Sequence, residues 1–141
     1  MAAVLGIDLG TTNCVVAYLH NESMCLVADE QGQELFPSVV TVGENERIWT
    51  GREAVALGAT VPGRTAYAVK RLLGRWYTDD VEQRARQIYP YEIIEAPGGG
   101  VFIKLGPYEY KPEKISGLVL KSLVDLVEQR LGERPTEAVV T

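Results

Sequence analysis

Gly6-Ile7-Asp8-Leu9-Gly10-Thr11-Thr12-Asn13 is the stretch on which the reading of this chain turns. Before it, Val4 to Leu9 is a short apolar run that ends at Asp8, Gly10 and two threonines. After it, Cys14 to Leu19 is a second run, with Val15, Val16 and Tyr18 supplying β-branched and aromatic residues. The octapeptide therefore reads as a strand, a tight glycine turn and another strand. It is not a Walker loop, because no lysine follows the glycines, and not a dinucleotide fingerprint, because a strand rather than a helix comes next. Such a turn can point successive backbone N–H groups and two hydroxyls at a phosphate. Gly10 lets the backbone approach oxygen atoms without a Cβ in the way. Asp8 can hold a hydrated Mg²⁺ through its waters, which magnesium gives up reluctantly. The same residues also suit an Asp-Leu-Gly turn that only closes a hairpin, and spacing alone leaves both readings open.

Working outward, Asn21-Glu22 is turn material and Met24 to Ala28 a third run, so the chain begins as an antiparallel meander. Val39 to Val42 and Ile48 to Thr50 predict a further strand pair. The period then becomes helical over Arg52 to Thr60 and again over Thr65 to Leu73, with Pro62-Gly63 dividing the two and Gly74 ending the second. Thr78 to Gln87 reads as a charged surface helix. Tyr91 to Glu95 and Val101 to Leu105, joined through Pro97-Gly98-Gly99-Gly100, predict a hairpin, and Tyr108 to Tyr110 a third short strand. Lys114 to Leu131 is the clearest helix: Ile115, Leu118, Val119, Leu123, Leu126, Val127 and Leu131 make one stripe, and Leu120 and Val124 a second row. Pro112 suits its first turn, and Gly132 with Pro135 stops it. Glu137 to Thr141 starts as a strand, the pattern of an excerpt from a longer chain.

The 141 residues are 46% apolar and 23% charged, with a net charge of −5. That is a globular composition, long enough for one domain or part of a larger one. The acidic balance argues against nucleic acid, whose phosphates need clustered Lys and Arg. No apolar run approaches the roughly 20 residues that span a bilayer, and the N-terminus lacks the basic start of a signal peptide, so no membrane is expected. Two cysteines, Cys14 and Cys25, make no disulfide framework, and a cytoplasmic setting is expected.

Four segments in order carry a resemblance. Gly6 to Asn13 resembles the first phosphate motif of the seventy-kilodalton heat-shock chaperones, the DnaK-like proteins, within the actin and sugar-kinase ATPase superfamily. Leu35-Phe36-Pro37-Ser38-Val39-Val40 is similar to that family's Pro-Ser strand. Ala68-Val69-Lys70-Arg71-Leu72-Leu73-Gly74-Arg75 is similar to the helix end bearing its essential lysine, and Ile115 to Gly132 to the long helix before the next strand. The resemblance covers essentially the whole chain. It implies an α/β fold, an actin-like (ribonuclease H-like) ATPase lobe with a twisted mixed sheet and helices. Residues 1–38 and 112–141 would be the core subdomain and 39–111 an inserted smaller α/β subdomain.

The resemblance also implies ATP/ADP and Mg²⁺. It assigns Asp8 to the magnesium water shell, and Gly10, Thr11, Thr12 and Asn13 to the loop around the β- and γ-phosphates. Lys70 becomes the catalytic lysine near the γ-phosphate, with Arg71 an ion-pair or phosphate contact. The parent would be an ATPase chaperone that couples hydrolysis to binding and release of unfolded polypeptides through a C-terminal domain, served by a J-domain co-chaperone and a nucleotide exchange factor. One wall of a two-lobed cleft cannot fix an in-line attack, so the chain alone is expected to be inactive. The other class is an actin-like filament protein or a sugar kinase, which the Lys70 and Pro37-Ser38 segments disfavour.

From the residues alone, Lys70 and Arg71 point outward because Val69, Leu72 and Leu73 face the core. Cys14 reads as a small buried residue. A redox-sensing thiol is the alternative reading; relatives often show Ser-Cys at this point, whereas here Asn13 leads directly into Cys14-Val15, so a thiol role in relatives does not transfer cleanly. His20 lacks partners at metal-ligand spacing. Trp76 and Tyr77 are expected in a satellite hydrophobic cluster under a loop. Asp79-Asp80 is expected to cap the following helix.

Overall fold

Alternation of apolar and open positions builds the first sheet. The computed structural model describes residues 4–20 and 22–141, with the His20 side chain outside that description. Asn21 of the expected turn and the residues before Val4 also fall outside it. Strands β1 (Val4–Leu9), β2 (Asn13–His20) and β3 (Ser23–Leu26) form the antiparallel meander that the sequence predicts. A two-residue strand, β4 (Phe36–Pro37), pairs antiparallel with the start of β2.

Next come β5 (Val40–Val42), β6 (Ile48–Thr50), α1 (Gly51–Gly58), β7 (Thr65–Ala66), α2 (Asp79–Ile88), β8 (Glu92–Glu95), β9 (Val101–Leu105), β10 (Tyr108–Tyr110), α3 (Pro112–Leu131) and β11 (Glu137–Val140). Strand β11 returns parallel to β1, Leu5 opposite Ala138 and Ile7 opposite Val140, giving a mixed five-stranded sheet in which β4 pairs off the main path. Parallel neighbours need a long crossover, and α3 completes it. Strands β6-β5-β7 and β10-β9-β8 form two separate three-stranded antiparallel sheets. The architecture is α/β with a mixed sheet and helices.

One face of β1 and β2 buries Leu5, Ile7, Cys14 and Val16 in a single core with Ile115, Val119, Leu123 and Val127 of α3. Pro112 opens α3, and Gly132, at φ +75°, closes it with its N–H on the Glu128 carbonyl. The second apolar row, Leu120 and Val124, is half-buried against the same core. Within the β6-β5-β7 sheet the fully buried Thr41 hydroxyl donates to the Ala54 carbonyl at 2.8 Å and lies 2.9 Å from the Thr65 hydroxyl. This joins α1 to β5 and β7.

Three expectations need correction. Thr65 to Leu73 is not a helix. Thr65 and Ala66 pair with Thr41 and Val40, Ala68 adopts φ +54°, and only a 3₁₀ turn, Val69–Leu72, follows. Strand pairing satisfies that backbone, and it overrides a weak local helical preference. The cap of α2 is Thr78, whose hydroxyl accepts from the Val81 N–H at 3.3 Å, while Asp79 and Asp80 sit in the first turn. Trp76 is not covered: it is 68% exposed, its ring lying over Gly99, while the neighbouring Tyr77 N–H bonds the Gly99 carbonyl. Leu73 is only half-buried, whereas Val69 and Leu72 enter the core. Among the described residues, no helix is long and apolar enough to cross a membrane, and no group of three or more His, Cys, Asp or Glu could hold a metal directly.

Candidate phosphate-binding turn

Between β1 and β2 the chain reverses through Gly10, Thr11 and Thr12. The period-two pleat of β1 sends Leu5 and Ile7 into the core and leaves Gly6 and Asp8 on the opposite, exposed face. Asp8 is thereby presented outward at the end of the strand. Its carboxylate accepts from the Thr141 hydroxyl at 3.4 Å, just past β11, where Leu9 N–H donates to the Thr141 carbonyl and Thr141 N–H to that of Ile7.

The turn is tight in a way only glycine allows. A Cβ on Gly10 would lie 2.0 Å from the carbonyl oxygen of Asn13. The oxygen that needs this space is therefore the turn's own. The N–H groups of Thr11 and Thr12 have no acceptor among the described residues, so the turn presents two free backbone donors beside the exposed Asp8 carboxylate.

Lys70 reaches the same place from far away in sequence. The left-handed Ala68 redirects the chain into the 3₁₀ turn, and Val69 and Leu72 anchor that turn in the core. Lys70 is left exposed, and its ammonium donates to the Leu9 carbonyl at 2.7 Å across 61 residues. Arg71 does not join it. Successive residues of a 3₁₀ turn lie about a third of a turn apart, so neighbours cannot face one target. Arg71 instead lines a groove with Arg75, Arg84 and Tyr89; burial raises the Tyr89 phenol above its ordinary value, and the nearby Arg71 guanidinium opposes that only in part.

The structure thus brings Asp8, Gly10, Thr11, Thr12, Asn13 and Lys70 together and leaves Arg71 apart. It also adds a residue to which sequence reasoning gave no role of its own. Ser38, just beyond β4, donates its N–H to the Thr12 carbonyl at 2.9 Å and its hydroxyl to the Gly10 carbonyl at 2.8 Å. Pro37-Ser38 was visible as a motif, but nothing local tells that its hydroxyl reaches back 28 residues.

Small mobile-anion chemistry suits such a place: free N–H groups, one ammonium, and a carboxylate able to hold a hydrated divalent cation at its edge. Compared with known families, residues 4–141 match the family described as HSP70, Hsp70 protein.

Proposed function

The chain belongs to the Hsp70 family, and from that premise we propose that the Gly10 turn, Asp8 and Lys70 form one wall of an ATP-hydrolysing cleft. The observation that carries this reading is the Lys70 ammonium at the Leu9 carbonyl, 2.7 Å away, beside two open N–H groups of a turn that only glycine can close. In this reading Gly10, Thr11, Thr12 and Asn13 surround the β- and γ-phosphates. Asp8 holds the Mg²⁺ water shell, and Lys70 stands at the γ-phosphate. Bound Mg²⁺ supplies charge neutralisation of the phosphate oxygens. The residues fit it, because the outward Asp8 carboxylate is a hard oxygen donor suited to water-mediated contact. Phosphoryl transfer has a loose transition state, so these groups act by placing the phosphates and opposing the charge on the transferred group.

The lobe has a core subdomain of residues 1–38 and 112–141, with its sheet twisted as in actin-like (ribonuclease H-like) ATPases, and an inserted subdomain of 39–111. Support for that division comes from the strands, which fall into one mixed sheet and two small antiparallel ones. The whole protein is a cytoplasmic chaperone that couples ATP hydrolysis to clamping of unfolded polypeptides, with a J-domain co-chaperone and a nucleotide exchange factor as partners. The lobe alone has no meaningful turnover, since half a cleft neither excludes water nor fixes the attacking water.

A titration of the ¹⁵N-labelled chain with Mg-ADP tests the site. Amide shifts are expected at Gly10 to Asn13 in the wild type and in Lys70→Ala, because Lys70 serves the γ-phosphate that ADP lacks. Shifts confined to other surfaces, or none at millimolar Mg-ADP, would overturn the assignment.

A further inference from the structure

Ser38 holds both ends of the turn, and the hydrogen-bond inventory fixes how. Its hydroxyl carries one proton, which goes to the Gly10 carbonyl at 2.8 Å. The Cys14 sulfur lies 3.0 Å from the same hydroxyl oxygen. With Ser38's proton already committed, the thiol must be the donor of that second bond. A directed chain therefore runs from the Cys14 S–H to the Ser38 O–H to the Gly10 C=O. Cys14 is fully buried, so its thiol donates where water cannot compete.

The consequence for the turn follows from peptide geometry. A trans peptide unit is planar, with its C=O and the next N–H on opposite sides. Ser38 pins the Gly10 carbonyl with its hydroxyl and the Thr12 carbonyl with its backbone N–H. The N–H groups in those same units, belonging to Thr11 and Asn13, must then point away from Ser38. Through bonds made entirely behind the turn, Ser38 sets the direction in which the Thr11 and Asn13 N–H groups face, the first of them one of the turn's two open donors.

We infer that Ser38 is the positioning residue of the phosphate turn, and that Cys14 is the second member of a thiol–hydroxyl relay that holds Ser38 in register. This deepens the phosphate reading of the turn and rests on it for its functional meaning. The relay itself is a property of the free chain. Cys14 acts here as a protonated donor, and the hydroxyl of a serine at that position would supply the same bond.

The test is ¹⁵N relaxation of the nucleotide-free chain, followed by Mg-ADP titration of the same samples. In the wild type the Thr11, Thr12 and Asn13 amides are expected near the rigid-backbone order parameter of about 0.85. In Ser38→Ala they should fall below about 0.6, while α3 keeps its values. Ser38→Thr, which keeps the hydroxyl, should restore them. Cys14→Ala should loosen the turn and Cys14→Ser should restore it, and this pair carries the same decision should Ser38→Ala fail to fold. Mg-ADP affinity should weaken roughly tenfold in Ser38→Ala, the ratio that goes with losing one hydrogen bond. Unchanged turn order parameters in Ser38→Ala and Cys14→Ala, or a loss spread equally through β1 and α3, would overturn the relay. If the wild type shows no Mg-ADP shifts, the phosphate reading fails, and the order parameters still decide the relay.

Discussion

Gly10 and Gly6 stand four residues apart in one motif, and their surroundings give them opposite sensitivities. At Gly10 an added methyl would sit 2.0 Å from the Asn13 carbonyl oxygen, a backbone atom that cannot swing aside. At Gly6 nothing lies within 4 Å. Gly10→Ala should therefore cost about 1–3 kcal/mol of stability by overpacking. Gly6→Ala should be neutral or stabilise by about 0.5–1 kcal/mol, through reduced freedom of the unfolded chain. Urea unfolding of the two variants checks the contrast, and equal losses would mean that the close approach in the turn is not real. The sequence could name both glycines, but only the folded turn tells which one is indispensable.

At the scale of elements, the long periodic segments were legible and the short ones were not. Helix α3 shows its whole face in the sequence, from Ile115 to Val127, and its Pro112 and Gly132 ends are where the chain's own chemistry puts them. Strand β7 has only two residues, Thr65 and Ala66, too few for any period. Its pairing with β5 and the buried Thr65–Thr41 hydroxyl contact decide its state. For α2 the capping chemistry is legible in Thr78-Asp79-Asp80, but the acceptor is Thr78, one residue before the aspartate pair. Thr78→Ala should lower stability by about 1 kcal/mol, because it removes the acceptor for the Val81 N–H. Asp79→Asn, which alters only a first-turn charge, should cost about 0.3–1 kcal/mol at low salt and less as salt screens it. Circular dichroism of both variants during urea unfolding, at low and high salt, measures the difference. A larger loss from Asp79→Asn would return the cap to the aspartate pair.

Across the whole molecule, buried phenols set the alkaline limit. Tyr91 donates to the Tyr67 carbonyl at 2.7 Å, and Tyr110 to the Glu46 carboxylate at 2.7 Å. Burial first, and then neighbouring negative or phenolic groups, push both phenols well above their ordinary value of 10.0. Above that value the unfolded chain releases protons that the folded chain keeps, so stability falls as pH rises. Tyr91 alone contributes a slope of about 1.4 kcal/mol per pH unit. Unfolding midpoints between about pH 10 and pH 11 should drop, and the drop should be shallower in Tyr91→Phe; a flat profile in the wild type would contradict the burial. On the acid side Arg52 holds Asp29 below the usual 3.8, and Lys121 with Arg134 does the same for Asp125. The stability these carboxylates add is therefore present above pH 3.8 and lost as pH falls through their folded values.

The sequence by itself determined the glycine turn, the meander, the hairpin, the long helix and the −5 charge, because each is written in neighbouring residues through period, turn chemistry or composition. Only the tertiary structure decided that Lys70 meets Leu9 across 61 residues, that Ser38 reaches Gly10 across 28, and that Thr141 lies beside Asp8 across 133. Those juxtapositions depend on how the sheets and α3 pack over one core, which no local spacing encodes.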